Sequence, residues 1–457
     1  MPSVYTYILT DFLTLTMQGA VMKKLLKAVI LSALMVSAVF CQNAGVVWTA
    51  VKDSPFSGSK IESIVWGNNR FVALGGNGKI AYSLDGVTWA AVNSPFVANN
   101  IVFSNGRFVA NDENGKIAYS SDGVTWTAVK SPFDSKYSGG VVWGKDKFVA
   151  WGSNKVNNKN IIKIAYSSDG VTWKELKNIQ SIFFSYPYNN YIDRIDWDYG
   201  QYIAKMEGSS FSSEDDCYEA SYFGFHGCTD HYNLCSSDGI SWQKCGEEFS
   251  DSYANPAFGN NSIVSYENYT DEGGEEACWL KYSSDGKTWA NVAEDIFCGW
   301  ECYCGIQSVF WNNNKFIVFA RVGAYQYTAY SSDGKNWTSV KNNMPDNFNI
   351  IFENNKFFAH SNRESDTIPW MAYLSDGITW TTVKNYPFGK SEISTIVYGN
   401  GVFVAVSKDG KIAYSKDGTT WALAKNYPFG KSATTEIVYG NGVFVAVSED
   451  GKIAYSK

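Results

Sequence analysis

Histidine is almost missing from this chain, with three in 457 residues. His226, His231 and His360 leave little material for a Ser-His-Asp or Cys-His mechanism. Arginine is nearly as scarce, found only at Arg70, Arg107, Arg194, Arg321 and Arg363. There is no run of basic residues, and the formal charge is −7. Phosphate contacts dominate nucleic-acid affinity, so no nucleic-acid partner is expected. No apolar run reaches the ~20 residues that a membrane-spanning helix needs. No Cys-x-x-Cys pair occurs, which argues against a zinc ribbon or finger. Gly75-Gly76-Asn77-Gly78 leads into a strand pattern and not a helix, so it is no phosphate-cradling loop.

Cysteine is confined. Apart from Cys41, all of it lies at Cys217, Cys228, Cys235, Cys245, Cys278, Cys298, Cys302 and Cys304. Near the start, Met22-Lys23-Lys24-Leu25-Leu26-Lys27 precedes an apolar run from Ala28 to Phe40. This pattern predicts a secretory signal peptide over 22–41, with 1–21 an over-extended start. Cys41 is a candidate for lipid attachment, which would anchor the protein to a membrane without spanning it. Phe40 stands where lipoprotein signals resemble Ala, Gly or Ser. The expected location is therefore periplasmic, cell-surface or extracellular. There, the eight remaining cysteines predict a disulfide framework whose connectivity the sequence does not give. His226 and His231 lie among Cys217, Cys228 and Cys235, but too loosely spaced for zinc. No metal or cofactor is expected.

What the chain has in plenty is repetition. Ser83-Leu84-Asp85-Gly86-Val87-Thr88-Trp89 returns at Ser120–Trp126, Ser167–Trp173, Ser236–Trp242, Ser283–Trp289, Ser331–Trp337, Leu374–Trp380 and Ser415–Trp421. A ninth copy starts at Tyr455-Ser456. Each box sits in a unit of four short strand patterns, with aromatic residues at 16% of the chain and 40 glycines to supply cores and turns. Repeats of this length with four strands predict an all-β fold, a single β-propeller over 44–457. Nine units predict nine blades, with eight as the alternative if one unit is degenerate. The strand pattern 46–51 has no unit of its own. The last unit lacks a fourth strand, so pairing the two would close the ring. Asp-Gly between strands also predicts a hairpin in which both residues take positive φ.

Ser-x-Asp-Gly-x-Thr-Trp resembles the Asp-box, or bacterial neuraminidase repeat, of sialidase-like propellers. The resemblance spans essentially 44–457, with one residue fewer between Asp and Gly than usual. It implies that Asp85, Asp122, Asp169, Asp238, Asp285, Asp333, Asp376 and Asp417 are structural and stand away from any active site. A sialidase also carries an aromatic-Arg-Ile-Pro motif and an arginine triad. The motif is absent here, and Arg70 and Arg107 occupy a repeat position that elsewhere holds Lys147, Gln201 or Val402.

Antiparallel strands send connections alternately to two faces. The turns joining strands one and two, and the Asp-Gly turns, share one face and stay short. The long insertions, 152–163, 205–233, 266–280, 321–328, 360–370 and 293–306, share the other face, in units three to seven. Loops held by a rigid scaffold carry function. The expected ligand-binding residues are Trp300, Glu301, Tyr303, Tyr325, Tyr327 and Trp370, because aromatic platforms stack on sugars or anchor protein partners. No catalytic residue is assigned. The reading is an exported, monomeric, non-catalytic propeller that binds a glycan or a protein. One alternative is a glycoside hydrolase or lyase, since loop carboxylates such as Glu207, Glu214 and Glu301 are plentiful. Another is a scaffold resembling the photosystem-assembly-factor propellers.

Overall fold

The computed structural model describes residues 45–457 except 57, 134–138, 157–158, 178, 180–187, 199–200, 210–229, 245–255, 261, 271–275, 286–287, 293–295, 298–303, 324, 343–347, 362–369, 375–377, 427 and 431. The described residues form nine four-stranded antiparallel sheets, arranged as a nine-bladed β-propeller. Blade one is typical, with strands Ile61–Gly67, Arg70–Gly75, Ile80–Ser83 and Ala90–Val92 in that spatial order. The second strand is buried from Phe71 onwards, whereas the fourth is exposed. The core therefore lies in the second and third strands of each blade and between blades.

The ring closes as the sequence predicts. Thr49–Ala50 pairs with Ile453–Ser456 and completes blade nine. Gly45 N–H donates to Ser456 Oγ at 2.7 Å, and Trp48 is buried in the cluster shared by blades eight and nine. Blade nine then meets blade one through Val443, Val445, Phe71 and Ile64. The blades touch closely at their inner strands. Gly440 must stay glycine, since a Cβ there would come 2.1 Å from the Trp66 ring of blade one.

Positive φ falls elsewhere than expected. In the box only the glycine takes it, as at Gly86 with φ 74°, and Asp85 does not. Six residues separate Ser83 from the next strand at Ala90, so the box is a wider turn than a two-residue hairpin. The paired positive φ values belong to the turns joining strands one and two, such as Asn68-Asn69 (45° and 58°) and Asn313-Asn314 (48° and 59°). Those are the tight hairpins, and asparagine tolerates the left-handed region there.

Candidate functional site: two unlike faces of the ring

The box face is locked by a repeated set of bonds. Asp85 Oδ1 accepts from the N–H groups of Val87 (2.9 Å) and Thr88 (2.8 Å). Ser83 Oγ accepts from Gly86 N–H at 2.9 Å, and Trp89 Nε1 donates to Gly86 C=O at 3.2 Å. The Asp and Ser bonds recur around Asp122, Asp169 and Asp417, and the Trp bond recurs at Trp173 and Trp421 but not at Trp126. Asp238, Asp285 and Asp333 hold their turns in the same way, and Asp376 lies outside the described residues. The Asn336 N–H, then its side-chain amide and the Lys335 N–H, hold the Asp333 carboxyl well below the usual range. At Asp122 burial pulls upward, but donors from Thr125 and Val124 bring it down to about 2. These aspartates are acceptors spent on their own turns.

Boxes also join blades. Asn68 Nδ2 reaches from blade one to the Ser121 carbonyl in the blade-two box at 2.7 Å. Asn105, Asn260 and Lys356 make the equivalent reach to Ser168, Ser332 and Asp417. This interlock leaves the box face short and uniform.

The loop face divides into two sectors. In blades one, two, three, eight and nine, a Ser-Pro-Phe or Tyr-Pro-Phe segment leads into the first strand. Its phenylalanine plugs the blade: Phe56, Phe133, Phe388 and Phe429 are buried. Ser54 Oγ donates to Gly451 C=O, and Ser131 Oγ to Gly115 C=O, so the segment is tied to a turn joining strands two and three. This second repeated motif was available in the sequence, but the more frequent box overshadowed it.

Blades three to six carry a second feature, which blade three combines with its plugging Phe133. Their second and third strands run on beyond the blade as two-stranded ribbons. The pairs are Lys147–Val156 with Lys159–Ser167, Gln201–Ser209 with Asp230–Ser236, Ser262–Thr270 with Glu276–Ser283, and Lys315–Val322 with Tyr325–Ser331. The insertions at 152–163 and 321–328, expected as loops, are thus mostly strand, because the ladder continues outward residue by residue.

Blades five and six are stapled at the base of their ribbons. Cys278 and Cys304 form a disulfide with Cα atoms 5.4 Å apart. Beside it, Asn268 donates through Nδ2 to Ile306 C=O and accepts from Ile306 N–H, each at 2.8 Å. Tyr266 OH donates to Gln307 C=O, and burial pushes this phenol up to about 12. Cys235 is also disulfide-bonded. Cys217, Cys228, Cys245, Cys298 and Cys302 lie outside the described residues.

Of the expected ligand-binding residues, Trp300, Glu301 and Tyr303 also lie outside the described residues. Tyr325 and Tyr327 share one face of the blade-six ribbon. Tyr325 is 52% exposed, with the Lys341 ammonium 3.0 Å from its ring centroid. Tyr327 meets the edge of Phe297 at 6.4 Å. Trp370 belongs to blade seven, half-buried against Phe348 at 5.9 Å. Sequence reading missed Lys341, Phe297 and Asn268. Phe297 stands where other blades carry the plugging phenylalanine, which is the signal that could have found it. Nothing local in the sequence marks the other two.

Three further polar groups belong to the ring. Glu436 Oε2 accepts from Ile64 N–H at 2.7 Å, and Glu353 Oε1 accepts from Tyr398 N–H at 3.1 Å, capping main-chain donors of the next blade's inner strand. Burial raises both carboxyls. His360, buried at the end of a second strand, has Nδ1 3.1 Å from Ser361 C=O, and burial lowers it.

Neither a family model nor a curated protein matches this chain. Solved structures resemble it in fold. The computationally designed Ika8 protein is 12% identical, covering 89% of this chain and 99% of its own, with a TM-score of 0.47. BamB from Moraxella catarrhalis is 11% identical over 90% of this chain and 99% of its own, with a TM-score of 0.42. Saccharomyces cerevisiae Sqt1 is 9% identical over 91% and 99%, with a TM-score of 0.40. With TM-scores below 0.5, none of these likenesses carries an argument about this chain.

Proposed function

We propose that this chain is an exported propeller that binds a protein partner on the loop face of blades three to seven and has no chemistry of its own. The carrying observation is the raised sector of four neighbouring ribbons, stapled at Cys278–Cys304 and presenting Tyr325 to solvent. Ribbons ordered by ladders and a disulfide keep their shape without a ligand, and preorganisation lowers the cost of binding. Trp300, Glu301, Tyr303 and Trp370 extend the same surface in this reading. The box and the signal-like segment 22–41 support a secreted propeller of the sialidase-like type, working as a monomer, with Cys41 as the lipid-bearing residue if the anchor is present.

The test is affinity capture from the exported protein fraction with the wild-type chain and with a Tyr325→Ala/Tyr327→Ala variant. Loss of a captured protein in the variant, at unchanged thermal stability, is the expected result. Equal capture by both sinks the assignment of this face. A second reading, a glycan stacked on the exposed Tyr325 ring, predicts instead glycan-array binding that the same variant abolishes.

A further inference from the structure

Among the described residues, the fourth strands of the other blades run two or three residues, but that of blade six runs five, Thr338–Asn342. Very short edge strands are one way proteins avoid recruiting other chains. Blade six gives that protection up. Its outer strand is paired along its length, from Tyr330 opposite Thr338 to Gln326 opposite Asn342.

Alternate residues of an antiparallel edge turn their N–H and C=O away from the ladder. In blade five, Val292 N–H donates inward to Leu280 C=O at 2.8 Å. Val340 holds the same place after its box tryptophan. Ser339 and Lys341 therefore carry the outward main-chain groups. Around them the charge is positive. Lys341 lies over Tyr325, and Lys335, just before the strand, sits 4.6 Å from the Tyr282 ring. Asp333, the nearest carboxylate along the chain among the described residues, is occupied by Asn336 and Lys335 within its turn.

We infer that the outer edge of blade six is a docking strand for an extended acidic polypeptide, which adds as a fifth strand along Thr338–Asn342 and meets Lys341 and Lys335 with its carboxylates. The inference rests on the protein-binding reading above and names the chemistry of that partner. The aromatic face of Tyr325 and Tyr327 gives its side chains an apolar shelf on the side of Lys341. A basic segment would meet like charge at both ends of the strand.

The test uses the full chain and two fluorescein-labelled ten-residue peptides, one alternating glutamate with threonine and one alternating lysine with threonine. Fluorescence anisotropy at low salt should show the acidic peptide binding at least about tenfold more tightly. Ser339→Pro removes one outward N–H and leaves the inner ladder intact, so it should weaken that binding about tenfold at an unchanged urea midpoint. Lys341→Glu should invert the preference between the peptides. No binding of the acidic peptide by wild type, or equal binding by Ser339→Pro, overturns the proposal. So does a concentration-dependent dimer in sedimentation velocity that Ser339→Pro abolishes, since the edge would then serve a second copy. If Ser339→Pro still captures the exported partner, the edge strand fails and the loop-face reading survives.

Discussion

Blades eight and nine, on one side, and blades five and six, on the other, solve the same packing problem with different material. Between eight and nine the contact is apolar: Val404, Val406, Ile412, Phe444 and Trp48. The turns joining strands two and three are tight, and Phe429 plugs the loop face. Between five and six an apolar cluster persists around Val264, Phe316 and Val318. Above it, the blades are held by a disulfide, a two-way Asn268–Ile306 contact and Tyr266. The difference teaches where side chains are free to change. A plugged blade with a tight turn between strands two and three, such as blade nine, has no surface to spare, although blade three keeps its plug and still raises a ribbon. A blade held from the side can lift a ribbon and expose residues such as Tyr325.

The comparison can be broken first in the plain sector. Phe444 is fully buried, and Phe444→Ala should cost about 3–5 kcal/mol of unfolding free energy. Urea denaturation reads the loss, and a cost under half that figure would mean the closure is less tightly packed than its burial implies. In the raised sector, the pair Cys278→Ser with Cys304→Ser should cost about 3 kcal/mol. Amide hydrogen exchange should place the loss in blades five and six and spare blades eight and nine. A uniform loss of protection around the ring would show that the staple serves the whole fold.

Smaller effects test the box face, which both sectors share. Asp333→Ala should cost about 1 kcal/mol, the size of a lost helix cap. The pH dependence follows from the sign of the shifts. Carboxyls held below their ordinary value near 3.8 contribute stability that is present above that pH. It is lost as pH falls through their folded values, so urea midpoints should drop continuously below about pH 4. Glu436 and Glu353, raised by burial, act in the opposite sense. Protonating them as pH falls towards the ordinary value near 4.5 recovers stability, and Glu436→Gln should flatten that part of the profile. The smallest expected effect is Tyr325→Ala on stability, within about 0.5 kcal/mol, because the ring is half exposed. A larger cost would make Tyr325 part of the blade-six core and remove it from the binding surface.

Much of the ring was legible in the chain. Repetition gives the number of blades, because every unit buries the same faces against its neighbours. The unattached strand pattern 46–51 announces the closure, since an unpaired edge and a three-stranded last unit can only satisfy each other. The turn geometry was read less well. Asp-Gly suggested a two-residue hairpin, but the Asp85 carboxylate wraps a wider turn by accepting main-chain N–H groups. That choice is made by side-chain hydrogen bonds, which a dipeptide signal does not encode.

The sequence alone determined the all-β propeller, its nine units and the sector where it departs from regularity. Local pattern suffices for these, because strand period, turn residues and repeat length are properties of neighbours along the chain. Only the tertiary structure decided that the insertions rise as ribbons, that Cys278 meets Cys304, and that Lys341 lies over Tyr325 on an outer strand longer than its counterparts. Each of these depends on contacts between different strands or blades. Register and blade-to-blade packing fix such contacts, and neither is written in any single stretch of residues.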